Sequence, residues 1–104
     1  MSQIEKYNEL VNSLMNDCKT VLLKKRMEYA TDDIFHNFNT AAALQGITPQ
    51  QALIGMMDKH VISVHDLVNN HADGQKIDLE LWKEKIVDNI NYLYILWAMV
   101  NIQE

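Results

Sequence analysis

Apolar residues recur at helical spacing along almost the whole chain, and patterns typical of β-strands are nearly absent. Spacings of three and four residues place side chains on one face of an α-helix. Only three glycines and one proline are present in 104 residues to interrupt such helices. The periodicity therefore predicts an all-α protein, folded as a single domain over residues 1–104 with a four-helix bundle-like architecture.

Residues that start and stop helices divide this pattern into four segments. The third segment begins at the clearest signal, with Thr48 as the N-cap, Pro49 in the first helical position and Gln51 completing a capping box. Residues 31–33 (Thr-Asp-Asp) supply N-cap chemistry for the second helix, and Gly46 is suited to end it. The predicted helices cover about residues 3–29, 33–45, 49–69 and 79–101, the last of them capped by Asp78.

The apolar faces of these helices predict which side chains form the core. On the first helix this face carries Ile4, Tyr7, Val11, Leu14, Cys18, Val21 and Leu22. On the third helix it carries Leu53, Met57, Val61, Val64 and Val68. On the fourth helix it carries Trp82, Ile86, Ile90, Leu93, Trp97 and Val100.

Composition excludes several classes of function. Nine basic and fourteen acidic side chains give a net charge of −5, whereas binding to duplex phosphates needs a basic surface, so we expect no direct contact with duplex nucleic acid. The single cysteine, Cys18, has no partner for an internal disulfide, which fits a reducing compartment. From the first residues of the sequence we expect no signal peptide, and the apolar stretch 92–102 is too short to span a bilayer. We therefore expect a cytoplasmic protein without membrane contact.

The fourth predicted helix carries Glu84, Asp88 and Asn91 on one face. One interpretation is an ordinary solvated face. The other follows from the second half of this helix, which is apolar nearly all round and therefore buried on more than one side. A partly buried pair of carboxylates one turn apart is a candidate site for a hard divalent cation such as Mg²⁺.

Other polar residues fall beside apolar faces. Asp58 and His60 flank the core face of the third helix on opposite edges, and Lys59 belongs to its polar stripe. Lys25 lies on the apolar stripe of the first helix. A lysine there either extends its charged end to solvent or holds an anionic ligand. The four histidines lack the spacing of a zinc site, and no glycine-rich phosphate loop or nucleophile elbow is present.

Three segments occur together in a familiar order: residues 25–30 (KRMEYA) with 35–38 (FHNF), residues 47–49 (ITP) leading to 57–60 (MDKH), and residues 84–92 (EKIVDNINY). Over roughly residues 22–98 the chain resembles small phage and prophage proteins related to the nucleotide-modification-associated domain. These are a branch of the all-α NTP pyrophosphohydrolases, the MazG and dimeric dUTPase group.

The resemblance implies a MazG-like fold and a Mg²⁺-dependent nucleotide (NTP or dNTP) pyrophosphohydrolase. In that superfamily, acidic residues on adjacent helices hold Mg²⁺, which binds the triphosphate and activates a water. By similarity, the metal ligands are Asp58, Glu84 and Asp88. The positions that approach the nucleotide are Lys25, His36, Asn37, Lys59, His60 and Asn91.

One departure from the family pattern leaves the function open. Catalytic members carry an E-x-x-E pair on the helix that matches the third one here, and this chain has no glutamate between Glu28 and Glu80. Three functions therefore remain: a pyrophosphohydrolase, a catalytically silent nucleotide-binding module, and a helical bundle for protein interaction. We also expect a homo-oligomer, because a belt of apolar residues exceeds what one small bundle covers. This belt consists of Tyr92, Ile95, Leu96, Met99 and Ile102.

Overall fold

Four helices account for nearly all of residues 2–28 and 33–102, the parts of the chain that the computed structural model describes. They are α1 (Gln3–Glu28), α2 (His36–Gln45), α3 (Pro49–Ala72) and α4 (Leu79–Ile102). Within those ranges no residue forms a β-strand. The all-α prediction is confirmed, and each predicted helix is present with its ends shifted by at most three residues.

The helix ends confirm most of the predicted caps. The Thr48 hydroxyl accepts the backbone N–H of Gln51 at 3.2 Å, and the Gln51 side chain accepts the backbone N–H of Thr48 at 2.9 Å. Gly46 ends α2 in the left-handed conformation at φ 68°, which costs a glycine little. Asp78 accepts the backbone N–H of Glu80 at 2.9 Å ahead of α4. These local signals position the helices independently of the core.

The start of α2 differs from its prediction, because the helix begins at His36 rather than at residue 33. Asp33 is the residue that organises this start: its carboxylate accepts the backbone N–H of Phe35 and the side-chain amide of Asn39, each at 2.9 Å. Of the predicted cap residues, Thr31 and Asp32 lie outside the described residues, as does residue 29 at the predicted end of the first helix.

The core forms where α2 and α3 meet α4. Phe35, Leu53 and Met99 are its buried centre, with Phe38 and Tyr92 in edge-to-face contact at a ring-centroid distance of 6.4 Å. Ile95 and Leu96 pack against the same cluster, so four of the five residues of the predicted oligomer belt lie in or against the core of the chain itself. These four residues do not form an uncovered belt, so the expectation of an oligomer on their account is wrong. Self-association itself stays a prediction.

α1 packs against α4 and runs in the same direction. Asp17 pairs with Lys83 at 3.5 Å, and eight residues later Lys25 pairs with Asp88 at 3.8 Å. Cys18 is buried in this contact, as predicted, and burial, followed by the nearby charge of Asp17, raises the pKa of its thiol. The described helices are thus arranged with α4 between α1 and the α2–α3 pair.

All three of the predicted core faces are wrong in part. Leu93 and Trp97 of α4 are 53% and 70% exposed, because the packed face of this all-round apolar helix is the one that carries Tyr92 and Met99. Ile4 and Tyr7 of α1 are exposed because this end of α1 extends past the start of α4. On α3, Leu67 is buried and the predicted Val68 is exposed. The radius of gyration, 16.2 Å, exceeds the value of about 13 Å for a compact domain of this length.

Replacing Thr48 by Ala removes the hydroxyl that accepts the Gln51 N–H in the α3 capping box and leaves the backbone N–H of residue 48, which the Gln51 side chain accepts. We expect the free energy of unfolding to fall by about 1 kcal/mol, the usual contribution of a threonine N-cap. The control is Thr40→Ala, at an exposed position inside α2. Urea denaturation followed by circular dichroism measures both variants, and an equal loss in the two would contradict the capping role.

The Asp33 contacts predict a pH-dependent stability. Hydrogen bonds from the Asn39 amide and then from the Phe35 N–H lower the pKa of the Asp33 carboxyl in the folded state. A lowered folded pKa stabilises the protein above the unfolded pKa, and this stabilisation is lost as the pH falls through the folded value. We expect Asp33→Asn to weaken the loss of stability below about pH 4, the range in which a free aspartate titrates. Urea titrations at pH 7 and in acid, with Asp66→Asn as the control, measure this difference.

Candidate functional site

A cavity of about 410 Å³ lies between the last turns of α1, the start of α2 and the middle of α4. Most of its wall is apolar or aromatic: Leu22, Leu23, Ile34, Phe35, Phe38, Met56, Tyr92, Tyr94, Ile95 and Ala98. The polar residues of the wall are Lys25, Arg26, Asp33, His36, Asn37, Asp88 and Asn91. Ligand sites typically combine an apolar wall of this size with a few polar groups.

Four polar residues of the cavity, three of them basic in type, come from two helix ends. Lys25 and Arg26 occupy the last turns of α1, where the amphipathic spacing brings the helix alongside α4. His36 and Asn37 form the first turn of α2, so the partial positive charge of a helix N-terminus lies at the same opening. The sequence predicted all of these except Arg26 as contacts to a nucleotide.

Asp88 joins three helices through its carboxylate. One of its oxygens lies 3.8 Å from Lys25 Nζ on α1 and the other 3.8 Å from His60 Nδ1 on α3, with the side chain only 17% exposed. The His60 ring in turn lies against Tyr92, at a centroid distance of 4.9 Å. The Asp88 charge is therefore accompanied by basic groups of the protein itself.

Asn91 is the buried polar residue of the cavity wall, at 7% exposure. Among the residues that the structure describes, neither its side-chain oxygen nor its side-chain nitrogen has a hydrogen-bond partner. Two residues earlier, Asn89 shows the usual arrangement and donates to the backbone carbonyls of His60 and Lys85 at 3.0 and 2.8 Å. Since a buried polar group without a partner is costly, the Asn91 carboxamide points to a function that outweighs this cost.

The residues that the resemblance assigns to Mg²⁺ do not form a fitting ligand set. Asp58 is exposed on α3, Glu84 is exposed one turn before Asp88, and Asp88 is paired with Lys25. Within residues 2–28 and 33–102, no three side chains of the His, Cys, Asp and Glu types come together in a way that could hold a metal ion. A Mg²⁺ site at these residues remains a prediction, and no step of chemistry follows from it here.

The remaining predicted residues lie outside the cavity wall. Glu84 lines a wider and more open groove of about 590 Å³ between α1 and α4. In this groove the hydrogen bond to Glu80, and then the charge of Asp17, raise the pKa of Lys83, which keeps it charged. Lys59 is exposed on α3, and His60 does not line the cavity but contacts two residues of its wall, Asp88 and Tyr92. The structure therefore gathers Lys25, His36, Asn37, Asp88 and Asn91 at one cavity.

Sequence reasoning missed the aromatic wall of the cavity and Arg26. Phe35 and Phe38 pack in the core while also lining the cavity. A signal was present in their spacing, because these two aromatics flank His36 and Asn37 on both sides. Arg26 is exposed, and no ion pair to it occurs within the described ranges.

Comparisons with known protein families, with curated proteins and with solved structures find no match to this chain. The similarity to all-α pyrophosphohydrolases therefore stays a resemblance carried by the three short segments. Among the described helices, none combines the length and apolarity that a membrane crossing requires.

Replacing Asn91 by Leu tests whether its carboxamide is unsatisfied. We expect the free energy of unfolding to rise by about 1–3 kcal/mol, because the variant no longer buries an unpaired polar group. The matched control, Asn89→Leu, breaks two hydrogen bonds to carbonyls and should lower the free energy of unfolding by about 1 kcal/mol. Urea denaturation of the two variants gives both values. A loss of stability in Asn91→Leu equal to that of the control would show that the carboxamide has partners in solution.

Proposed function

We propose that the chain is a catalytically silent nucleotide-binding module whose ligand occupies the cavity between α1, α2 and α4. The single observation that carries this proposal is the unpartnered Asn91 carboxamide in an aromatic cavity with Lys25 and Arg26 at its edge. A nucleotide combines the two features that this wall selects, a planar ring with hydrogen-bonding edges and an anionic phosphate.

The ring of the ligand is matched by the apolar part of the wall. Phe35, Phe38, Tyr92 and Tyr94 offer aromatic surface to a planar base, and stacking of a base on an aromatic side chain contributes about 1–3 kcal/mol. The carboxamide of Asn91 supplies one donor and one acceptor, the pair that a nucleobase edge requires. Both atoms are closed to solvent in the structure, so binding would provide these hydrogen bonds after the side chain turns toward the cavity.

The phosphate is matched by the positive end of the site. Arg26 has a guanidinium free of ion pairs in the described structure, and guanidinium groups bind phosphate oxygens through two hydrogen bonds at once. Lys25, which is paired with Asp88, and the N-terminus of α2, where Asp33 accepts the Phe35 N–H, lie at the same opening. The charged side chains of the wall are Lys25 and Arg26 with Asp33 and Asp88, and Lys25 is paired with Asp88, so Arg26 is the basic group of the described wall that has no ion pair.

The pairing of Asp88 favours binding over metal-dependent hydrolysis. A carboxylate already neighboured by Lys25 and His60 offers a cation less attraction than a free one. The absence of the E-x-x-E pair from the third helix supports the same conclusion. The Mg²⁺-dependent pyrophosphohydrolase is the competing function, and the following experiment distinguishes the two.

Thermal unfolding in the presence of nucleoside mono-, di- and triphosphates tests this proposal. A ligand that binds only the native state raises the unfolding midpoint, and we expect such a shift in EDTA without release of product. A shift that requires Mg²⁺, accompanied by monophosphate and pyrophosphate, would establish the pyrophosphohydrolase instead. No shift with any nucleotide in either condition would contradict nucleotide binding.

Variants of the positive end locate the ligand. Arg26→Gln should weaken nucleotide binding about tenfold to a hundredfold, the range for losing hydrogen bonds to a charged group. The matched control is Lys24→Gln, an exposed residue of the same helix that does not line the cavity. Titration calorimetry measures both affinities, and equal weakening would mean that the phosphate binds elsewhere.

A further inference from the structure

The charges of the described cavity wall balance one another, and this balance limits the charge of a ligand. Two basic side chains, Lys25 and Arg26, stand against two carboxylates, Asp33 and Asp88. Since Lys25 lies 3.8 Å from the Asp88 carboxylate, its charge is already partly neutralised. The guanidinium that remains binds one phosphate group through two hydrogen bonds. The wall therefore has a basic partner for one phosphate group and none in reserve for a second.

Asp33 places a fixed negative charge at the phosphate end of the cavity. Its carboxylate accepts the backbone N–H of Phe35 and the side-chain amide of Asn39. These two hydrogen bonds lower the pKa of the Asp33 carboxyl, so the group stays ionised at neutral pH. It also uses an N–H at the start of α2 that an anion could otherwise accept. Additional ligand charge at this opening therefore meets a carboxylate.

The cavity adjoins an acidic groove along α1 and α4. The Lys25–Asp88 pair lines both the cavity and the groove of about 590 Å³, so the two spaces meet at this pair. Lys83, inside the groove, is held by two carboxylates at 3.5 and 3.4 Å. A phosphate chain that extended past Lys25 would therefore meet more acidic than basic groups. The charged side chains that line the groove are Asp17, Glu80, Glu84 and Asp88, with Lys25 and Lys83.

We propose that the cavity selects a nucleoside monophosphate and rejects the di- and triphosphates of the same nucleoside, with Asp33 and Glu84 repelling the additional phosphates. This inference rests on nucleotide binding at the cavity and narrows the class of ligand. Each further phosphate adds negative charge without a new basic partner, in a chain whose net charge is already −5. Like charges brought together on binding oppose it, so the affinity falls as the phosphate chain lengthens. A triphosphate pyrophosphohydrolase would show the opposite order.

Titration calorimetry in EDTA measures this order, because without a metal ion each phosphate chain keeps its full charge. The ligands are adenosine, guanosine, cytidine and uridine, each as the nucleoside and as its 5′-mono-, di- and triphosphate. For a base that binds, we expect the monophosphate to bind at least about tenfold more tightly than the triphosphate. The nucleoside should also bind at least about tenfold more weakly than the monophosphate, because it lacks the group that Arg26 holds.

The outcomes separate this inference from the proposal on which it rests. A triphosphate that binds as tightly as the monophosphate of the same base would overturn the selectivity and leave nucleotide binding intact. A nucleoside that binds as tightly as its monophosphate would overturn the selectivity as well, because the phosphate would then contribute nothing. Binding of no compound in the series would overturn both proposals.

Two charge variants identify the groups that repel the longer chains. Asp33→Asn and Glu84→Gln each remove one negative charge with little change of shape. Each should narrow the ratio of monophosphate to triphosphate affinity at least about threefold. The control, Asp66→Asn, removes the same charge at an exposed position of α3 that lines neither the cavity nor the groove, and should leave the ratio unchanged.

Folding of the variants is checked by circular dichroism, because Asp33 also organises the start of α2. If Asp33→Asn is not folded, Glu84→Gln decides, since its side chain is exposed. A ratio that no folded variant changes, or that Asp66→Asn changes by the same amount, would overturn the role of these carboxylates.

Discussion

The packing of α4 is the constraint on which the rest of the structure depends. Its second half is apolar around the whole circumference, so no single neighbour can cover it. α2 and α3 cover the side that carries Tyr92 and Met99, and α1 covers the side that carries Val87. The side with Leu93 and Trp97 is left exposed. The cavity and the exposed surface at Leu93 and Trp97 both follow from this incomplete covering of α4, because α1 stops before it reaches the end of α4.

Asn91 shows how the cavity and the stability of the fold oppose each other. Its position on α4 faces the wall that α1 and α2 complete, so burial follows from packing and not from any polar neighbour. A leucine there would satisfy the packing without an unpaired donor and acceptor. A polar group kept in such a position is typical of binding sites, where stability is lost in exchange for recognition.

Local parts of the fold were predictable from the sequence, and the relations between helices were not. Thr48, Gly46 and Asp78 act on their own backbone neighbours, so their roles follow from residue type and spacing alone. The buried face of α4 could not be found in the same way. Since this helix is apolar on every side, its sequence pattern does not indicate which side is buried. Leu93 and Trp97 were assigned to the core for this reason.

In the candidate site too, individual residues were predictable from the sequence, whereas the contacts between helices were not. Lys25 stood out in the sequence because it interrupts an apolar stripe, and Asp88 because it follows Glu84 by one turn. Their direct pairing depends on the offset of α1 against α4, which the sequence does not state. The resemblance to pyrophosphohydrolases places both residues at the phosphates and the metal, whereas the structure makes them partners of each other.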